Sequence, residues 1–290
     1  RDANFIPCYD EDELGRRIGE AEILFVTNQF PVRHLASAKK AKWIQTTSAG
    51  VERLTLDPHF PTHVTLTRVT MGYGEKIAEF VIGCLLALTQ RISEIIDNQR
   101  SKEWRRVNMT WLMGETLGVA GLGAVGGVIA QRASCMQMRV IGYNRSHKDI
   151  PGVEKCYLPG EFDAFLSQVK YLVIAFPVTE DTRGMFGMNE FRKMRRDAYL
   201  VNIARGSIVK ESELVAALKE GVFAGAVLDV FEKEPLPESS PLWEMDNVII
   251  SPHDSGPSLV SDNADFFLAN LKRYRAGEPL AAVVDMGKKY

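Results

Sequence analysis

The sequence predicts a two-domain α/β protein whose larger domain is a doubly wound parallel sheet. Three observations carry that prediction. Short apolar runs alternate with helix-compatible segments along most of the 290 residues. One such run, Leu117–Ala120, ends in Gly121-Leu-Gly-Ala-Val-Gly126 and leads into the helix-compatible Val128-Ile-Ala-Gln-Arg-Ala. The strand runs after it are almost wholly apolar rather than alternating, as expected when helices cover both faces of a sheet.

In order along the chain, residues 1–73 hold strand candidates at Asn4–Cys8, Glu22–Thr27, Lys42–Thr46 and Val64–Val69, with helical stretches near Glu11–Gly19 and Val32–Lys40. A single long helix is expected from about Gly74 to Asp97. Its apolar residues Ile77, Phe80, Val81, Cys84, Leu85, Leu88, Ile92, Ile95 and Ile96 recur at spacings of three and four and form one stripe. That stripe must bury against its own domain or a second subunit. Strands follow at Leu117–Ala120, Arg139–Tyr143, Tyr171–Phe176, Tyr199–Ile203, Gly225–Val230 and Val248–Ile250. The helix Glu211–Glu220 stops at Gly221, a residue suited to a left-handed helix end. An amphipathic helix, Ser258–Arg275, comes last. Domain crossings are expected so that 1–73 and 255–290 form one domain and 74–254 the dinucleotide-binding one. The chain opens on Arg1-Asp-Ala-Asn without an initiator Met, so further residues are expected before it.

Composition narrows the class. A hydrophobic fraction of 46% with 25% charged residues is that of a soluble globular protein. A net charge of -2 with scattered Lys and Arg gives no footprint for nucleic acid. The most apolar run, Phe80–Leu88, is far short of the roughly 20 residues that span a bilayer, so no membrane partner is expected. Cys8, Cys84, Cys135 and Cys156 form no CxxC pair and no His/Cys ligand cluster, so no metal is expected. Three of them sit among apolar neighbours and read as buried free thiols of a cytoplasmic protein.

The glycine motif carries the first chemistry. Gly121 makes a tight turn, Gly123 lets a pyrophosphate approach the backbone, and Gly126 lets helix and strand pack closely. An acidic residue about 20 positions on would bind a ribose 2′-hydroxyl. Here the second strand ends in Asn144, followed by Arg145, Ser146, His147 and Lys148. A neutral amide with a cationic neighbour accepts a 2′-phosphate that a carboxylate would repel, which favours NADP over NAD.

Three polar residues follow later strand runs. Arg205, in Asn202-Ile-Ala-Arg-Gly, can present a planar fork to a carboxylate. His253, alone among the five histidines, follows a strand of the large sheet directly. Glu234, in Glu232-Lys-Glu-Pro, is a carboxylate that would fix the imidazole tautomer, with Glu232 as its competitor. In an open parallel sheet, ligands bind beyond the carboxyl ends of the strands. A cation, a carboxylate and an imidazole there point to hydride transfer to or from an anionic carbonyl compound. Ser48-Ala49-Gly50-Val51 ends a strand of the first domain and reads either as a plain turn or as an N–H nest for a substrate carboxylate.

Together these motifs, with Leu228-Asp-Val-Phe-Glu-Lys-Glu-Pro and Ser251-Pro-His-Asp-Ser-Gly, resemble the D-isomer-specific 2-hydroxyacid dehydrogenase family from about Ala21 to Ala276. The resemblance implies a Rossmann domain and a smaller flavodoxin-like α/β substrate domain lacking its first strand and helix, and the stripe on helix 74–97 adds the expectation of a homodimer through that helix and the Rossmann domain. It places the family's catalytic Arg, Glu and His on Arg205, Glu234 and His253. It implies that Asp229 holds the nicotinamide carboxamide and that Ala124 and Val125 contact the pyrophosphate. Phe176 and Pro177 would border the adenosine, with Ile203, Ala204 and Gly256 also at the cofactor. Ala49, Gly50 and Val51 would bind the substrate carboxylate. The activity implied is NAD(P)H-dependent reduction of a 2-oxoacid such as glyoxylate or hydroxypyruvate. A dehydrogenase for another small anion and a dinucleotide-sensing corepressor on the same fold are the alternatives, and the intact Arg/Glu/His set argues against the corepressor.

Overall fold

The computed structural model describes residues 4–27, 29–70, 72–257 and 259–287. The chain divides into two compact units, Arg1–Gly72 with Ser258–Tyr290, and Tyr73–Pro257.

The smaller unit begins with α1 (Glu11–Arg17), capped by the Asp10 carboxylate, which accepts from the Glu13 N–H. Then come β1 (Ile23–Val26), a 3₁₀ turn at Val32–Ser37, β2 (Trp43–Thr46), the short α2 (Glu52–Thr55) and β3 (Thr65–Arg68). The strands form a parallel sheet in the order β1-β2-β3. The strand expected at Asn4–Cys8 is not formed; that stretch is exposed coil. Pro7 in its middle has no N–H to donate to a ladder. The helix expected over Val32–Lys40 is a tighter and shorter 3₁₀ turn.

The larger unit opens on two helices where one was expected, α3 (Tyr73–Thr89) and α4 (Ile92–Ser101). Arg91 between them adopts φ 54, left-handed, which ends the first ladder. The stripe therefore splits. Ile77, Val81 and Leu85 are buried, whereas Ile92 and Ile96 lie exposed on α4. Then follow β4 (Thr116–Ala120), α5 (Ala124–Cys135), β5 (Arg139–Tyr143), β6 (Lys155–Tyr157), α6 (Phe162–Leu166), β7 (Tyr171–Ile174), α7 (Met188–Phe191), β8 (Tyr199–Asn202), α8 (Glu211–Lys219), β9 (Gly225–Leu228) and β10 (Val248–Ile250). All pair in parallel in the order β10-β9-β8-β7-β4-β5-β6. The three-residue β6 escaped the sequence reading because only Tyr157 of it is buried.

The sheet is covered on both faces. Leu117, Val119, Val173 and Val201 pack in one core with Ile77, Val81 and Leu85 of α3 and Ile129 and Ala133 of α5. Leu172, Ile174, Leu200 and Leu228 pack in another with Phe165, Phe191, Leu214 and Phe223. Alternate residues of one strand feed opposite cores, which is why the runs are apolar throughout. Helix α8 ends at Gly221, whose φ is 64.

The chain returns to the smaller unit as α9 (Val260–Ala276). Ser258, expected to start it, lies outside the described residues. Phe267 of α9 stacks on Trp43 at 5.2 Å between ring centroids, and the Trp43 indole N–H donates to Thr67 Oγ1 at 2.7 Å. No described helix is long and apolar enough to cross a membrane. The thiols are free, but none is fully buried: Cys8 and Cys135 are exposed and Cys84 and Cys156 half-buried. That corrects the expectation of buried cysteines, since Cys135 closes α5 at its surface end.

Candidate active site

The order of strands reverses between β4 and β7, and the two loops that leave there touch. Gly121 has φ 108, and a Cβ on it would stand 2.7 Å from the Phe176 amide nitrogen. Gly126 is tighter still, its would-be Cβ lying 1.8 Å from the Gly121 carbonyl oxygen. Gly123, between them, would meet no atom within 4 Å. The first and third glycines are filled against protein, and the second faces open space at the amino end of α5, where first-turn N–H groups of Ala124 and Val125 attract an anion. These residues fit a dinucleotide pyrophosphate.

Around them, Phe176 stacks on Phe186 at 6.3 Å, and the Pro177 carbonyl accepts from Thr182 Oγ1 at 2.8 Å. Asn144 donates from its amide nitrogen to the Ser146 carbonyl at 2.8 Å, so it shapes the loop after β5. Arg145, Ser146, His147 and Lys148 are exposed there.

The ends of β8, β9 and β10 are neighbours, roughly 5 Å apart from strand to strand, and they assemble the three expected polar residues stepwise. Asn202, buried at the end of β8, accepts the Ala204 N–H on Oδ1 and donates from Nδ2 to the Arg205 carbonyl, both at 3.1 Å. Those two bonds hold the Ile203-Ala204-Arg205 backbone, whose first two residues are buried. Arg205 itself is half-buried and donates from Nη1 to the Ala204 carbonyl at 2.7 Å. Gly206 lies against the Phe231 carbonyl carbon, which a Cβ would approach to 1.9 Å. Any side chain at 206 would therefore push the Arg205 turn off the β9 loop. On that loop the Phe231 N–H donates to Glu234 Oε1 at 3.0 Å. The other oxygen, Oε2, takes a bond from His253 Nδ1 at 2.8 Å.

This settles which carboxylate partners the histidine. Glu232 Oε1 accepts from the Glu211 N–H, and Glu211 Oε2 accepts from the Glu232 N–H, each at 3.1 Å. Glu232 is thus engaged at the start of α8, and Glu234 is the residue beside His253. A carboxylate only accepts, so Nδ1 carries the proton, and Nε2 is the ring nitrogen that Glu234 does not engage. The pair is open to solvent, with side-chain exposures of 46% for His253 and 38% for Glu234. His253 has φ 61, in the left-handed region.

Asp229, expected at the cofactor, is almost fully buried at 1% exposure. Its Oδ1 accepts from the Asp254 and Ser255 N–H groups at 2.9 and 3.1 Å, and its Oδ2 from the Ser255 hydroxyl. The sequence reading missed Asn202 and Ser255 as site builders, although both lie inside motifs it quoted. In the smaller unit, the Ala49 carbonyl after β2 accepts from Arg68 Nη1 at 3.0 Å. Gly50 lines a small pocket with Thr27, Phe30, Thr46 and Arg53, and Val51 is buried at the start of α2. Among the described residues no group of three or more His, Cys, Asp or Glu side chains is placed to hold a metal.

Residues 82–255 match the model of the D-isomer specific 2-hydroxyacid dehydrogenase, NAD binding domain. The chain belongs to the D-isomer specific 2-hydroxyacid dehydrogenase family. It is a nicotinamide-dinucleotide-dependent oxidoreductase of the Rossmann type. This dehydrogenase is 32% identical over 285 residues to the glyoxylate reductase of Thermofilum pendens, covering 94% of this chain and 84% of that protein. It superposes with TM-score 0.91 on a D-isomer specific 2-hydroxyacid dehydrogenase family protein of Aeromonas salmonicida, at 34% identity over 96% of this chain and 90% of that one. A third relative is the NADPH-dependent glyoxylate/hydroxypyruvate reductase of Sinorhizobium meliloti, solved with NADP and sulfate. It gives TM-score 0.90 and 30% identity, over 97% of this chain and 90% of that one.

Proposed function

We propose that this dehydrogenase reduces a small 2-oxoacid of the glyoxylate or hydroxypyruvate class to the D-2-hydroxyacid, with NADPH preferred over NADH. The observation that carries the reading is the His253 Nδ1–Glu234 Oε2 pair, held on the loop that packs against the Arg205-Gly206 turn. A nicotinamide dinucleotide, bound along Gly121–Gly126, supplies the hydride. Arg205 clamps the substrate carboxylate with its planar fork and draws charge from the carbonyl. His253 gives the Nε2 proton to the carbonyl oxygen as negative charge grows there. Glu234 keeps the proton on Nδ1 in the neutral ring and stabilises the imidazolium before transfer. Gly50 and Val51 offer backbone N–H groups suited to a carboxylate.

The cofactor preference rests on Asn144 at the end of β5, on the exposed Arg145-Ser146-His147-Lys148 beside it, and on the NADP held by the Sinorhizobium relative. Ile203, Ala204, Phe176 and Pro177 would flank the nucleotide. A homodimer fits the apolar side chains left exposed on α4 and after it, Ile92, Ile96, Trp104, Trp111 and Met113. The free thiols suit a reducing cytoplasm.

The test is oxidation of NADPH and NADH with glyoxylate, hydroxypyruvate and phenylpyruvate in parallel. The expected result is turnover of the two small acids, with kcat/KM for NADPH at least ~10-fold above NADH, a difference of about 1.4 kcal/mol. Faster turnover with NADH would overturn the cofactor preference, and no turnover with any acid would overturn the reduction itself. Light scattering that gives a monomer mass would remove the dimer.

A further inference from the structure

The buried carboxylate of Asp229 accepts from the residues that follow His253. A charge at 1% exposure is costly unless several donors surround it. Among the described residues its three donors come from two residues, Asp254 and Ser255, directly after His253. Ser255 is itself buried at 4% exposure, so its hydroxyl serves this contact rather than the solvent-facing site. His253 stands at φ 61, a left-handed conformation that strains a residue other than glycine. Such strain persists only where neighbours over-determine it. Here they do so from two sides. Asp229 ties residues 254 and 255 from below, and Gly256 seats against α3, where a Cβ would come within 2.9 Å of Ile77 and 3.1 Å of Tyr73.

The same residue also reaches the other half of the site. Its N–H donates to the Asn202 carbonyl at 3.0 Å, and the Asn202 side chain brackets Arg205. We propose that Asp229 is a positioning residue, whose carboxylate holds the backbone of residues 254 and 255, keeps His253 left-handed and so delivers its ring to Glu234. This rests on the reading of His253 as proton donor. It differs from a role in binding the cofactor, because Asp229 then acts through the turn and does so before any cofactor is bound.

The experiment uses the full chain without cofactor. Nitrogen-15 chemical shifts of the His253 ring report its tautomer, and NADPH fluorescence titration and glyoxylate kinetics complete the set. Wild type should show one Nδ1–H tautomer. Asp229→Ala should show mixed tautomers and lose at least ~10-fold in kcat, with the NADPH Kd within ~3-fold. Asp229→Asn, whose Oδ1 still accepts both N–H groups, should restore the single tautomer, and Ser255→Ala should fall between. An unchanged tautomer in Asp229→Ala, or a ~10-fold loss of NADPH affinity without a tautomer change, overturns the proposal. If Asp229→Ala does not fold, Ser255→Ala decides, and an unchanged tautomer with kcat within ~2-fold of wild type overturns it. Full turnover in a His253 variant would sink the proton-donor reading alone, since the tautomer result stands without it.

Discussion

At the amino end of the seven-stranded sheet, Asp197, just before β8, accepts from Arg195 at 2.9 Å and from Lys170, just before β7, at 2.7 Å. At the carboxyl end, Asn202 and Asp229 accept instead from backbone N–H groups of the turns that carry Arg205 and His253, and Glu234 from the Phe231 N–H of its own loop. The residue types are similar and their employment is opposite. Charges at the amino end neutralise one another across neighbouring strands. Polar groups at the carboxyl end fix backbone, and the backbone then presents an imidazole and a guanidinium. An arginine or aspartate in this sequence therefore acquires meaning from which end of a strand it follows.

Breaking the carboxyl end at its most crowded point should have the largest effect. Gly126→Ala places a methyl on the Gly121 carbonyl and should cost more than ~3 kcal/mol in urea unfolding. Gly123→Ala, in open space, should leave unfolding within ~0.5 kcal/mol and weaken NADPH about 10-fold by fluorescence titration. Equal stability losses in the two variants would contradict the division of labour among the glycines.

Next in size is the brace. Glu234→Gln keeps the shape and removes the charge, and steady-state kinetics should show kcat down about 10- to 100-fold with a smaller change in KM. Glu232→Gln should stay within ~3-fold of wild type. A larger loss from Glu232→Gln would reverse the assignment made by the 2.8 Å contact.

The smallest effect belongs to the amino end. The Arg195 and Lys170 partners hold the Asp197 carboxyl below its ordinary value of 3.8. Its stabilisation is therefore present above that value and is lost as pH falls through the lowered one. With Asp197 at 49% exposure, solvent screening limits this to no more than ~1 kcal/mol at neutral pH. Asp197→Asn should show that deficit in unfolding at pH 7, a vanishing deficit in acid, and unchanged turnover.

Much of this was legible in the sequence for a physical reason. The strands of the larger unit are apolar on both faces because two cores flank them, and Gly121, Gly123 and Gly126 stand at the spacing of a strand-to-helix turn, two packed against protein and one facing open space. Arg205, Glu234 and His253 stood out as candidates because each follows such a strand, and the fold brings His253 and Glu234 to 2.8 Å. What stayed hidden depends on conformation rather than residue type. Nothing in the spacing of the apolar positions marks Arg91 as left-handed, since Leu88, Ile92 and Ile95 keep helical intervals across the break. Asn202 and Ser255 stood inside quoted motifs, yet their service to neighbouring backbone needs the folded turn. Asp229 entered only through the resemblance, as a residue that would hold the nicotinamide carboxamide, and its burial and bonds to the 254–255 backbone need the folded turn.

One comparison tests the central claim most directly: single-turnover oxidation of NADPH by excess glyoxylate in wild type and in His253→Asn, with NADPH affinity measured on both. Asparagine tolerates the left-handed backbone at 253, so the turn is kept while the proton donor is lost. The account predicts NADPH affinity within ~3-fold and a hydride-transfer rate reduced by about 10²- to 10⁴-fold. A rate within ~3-fold of wild type would contradict it.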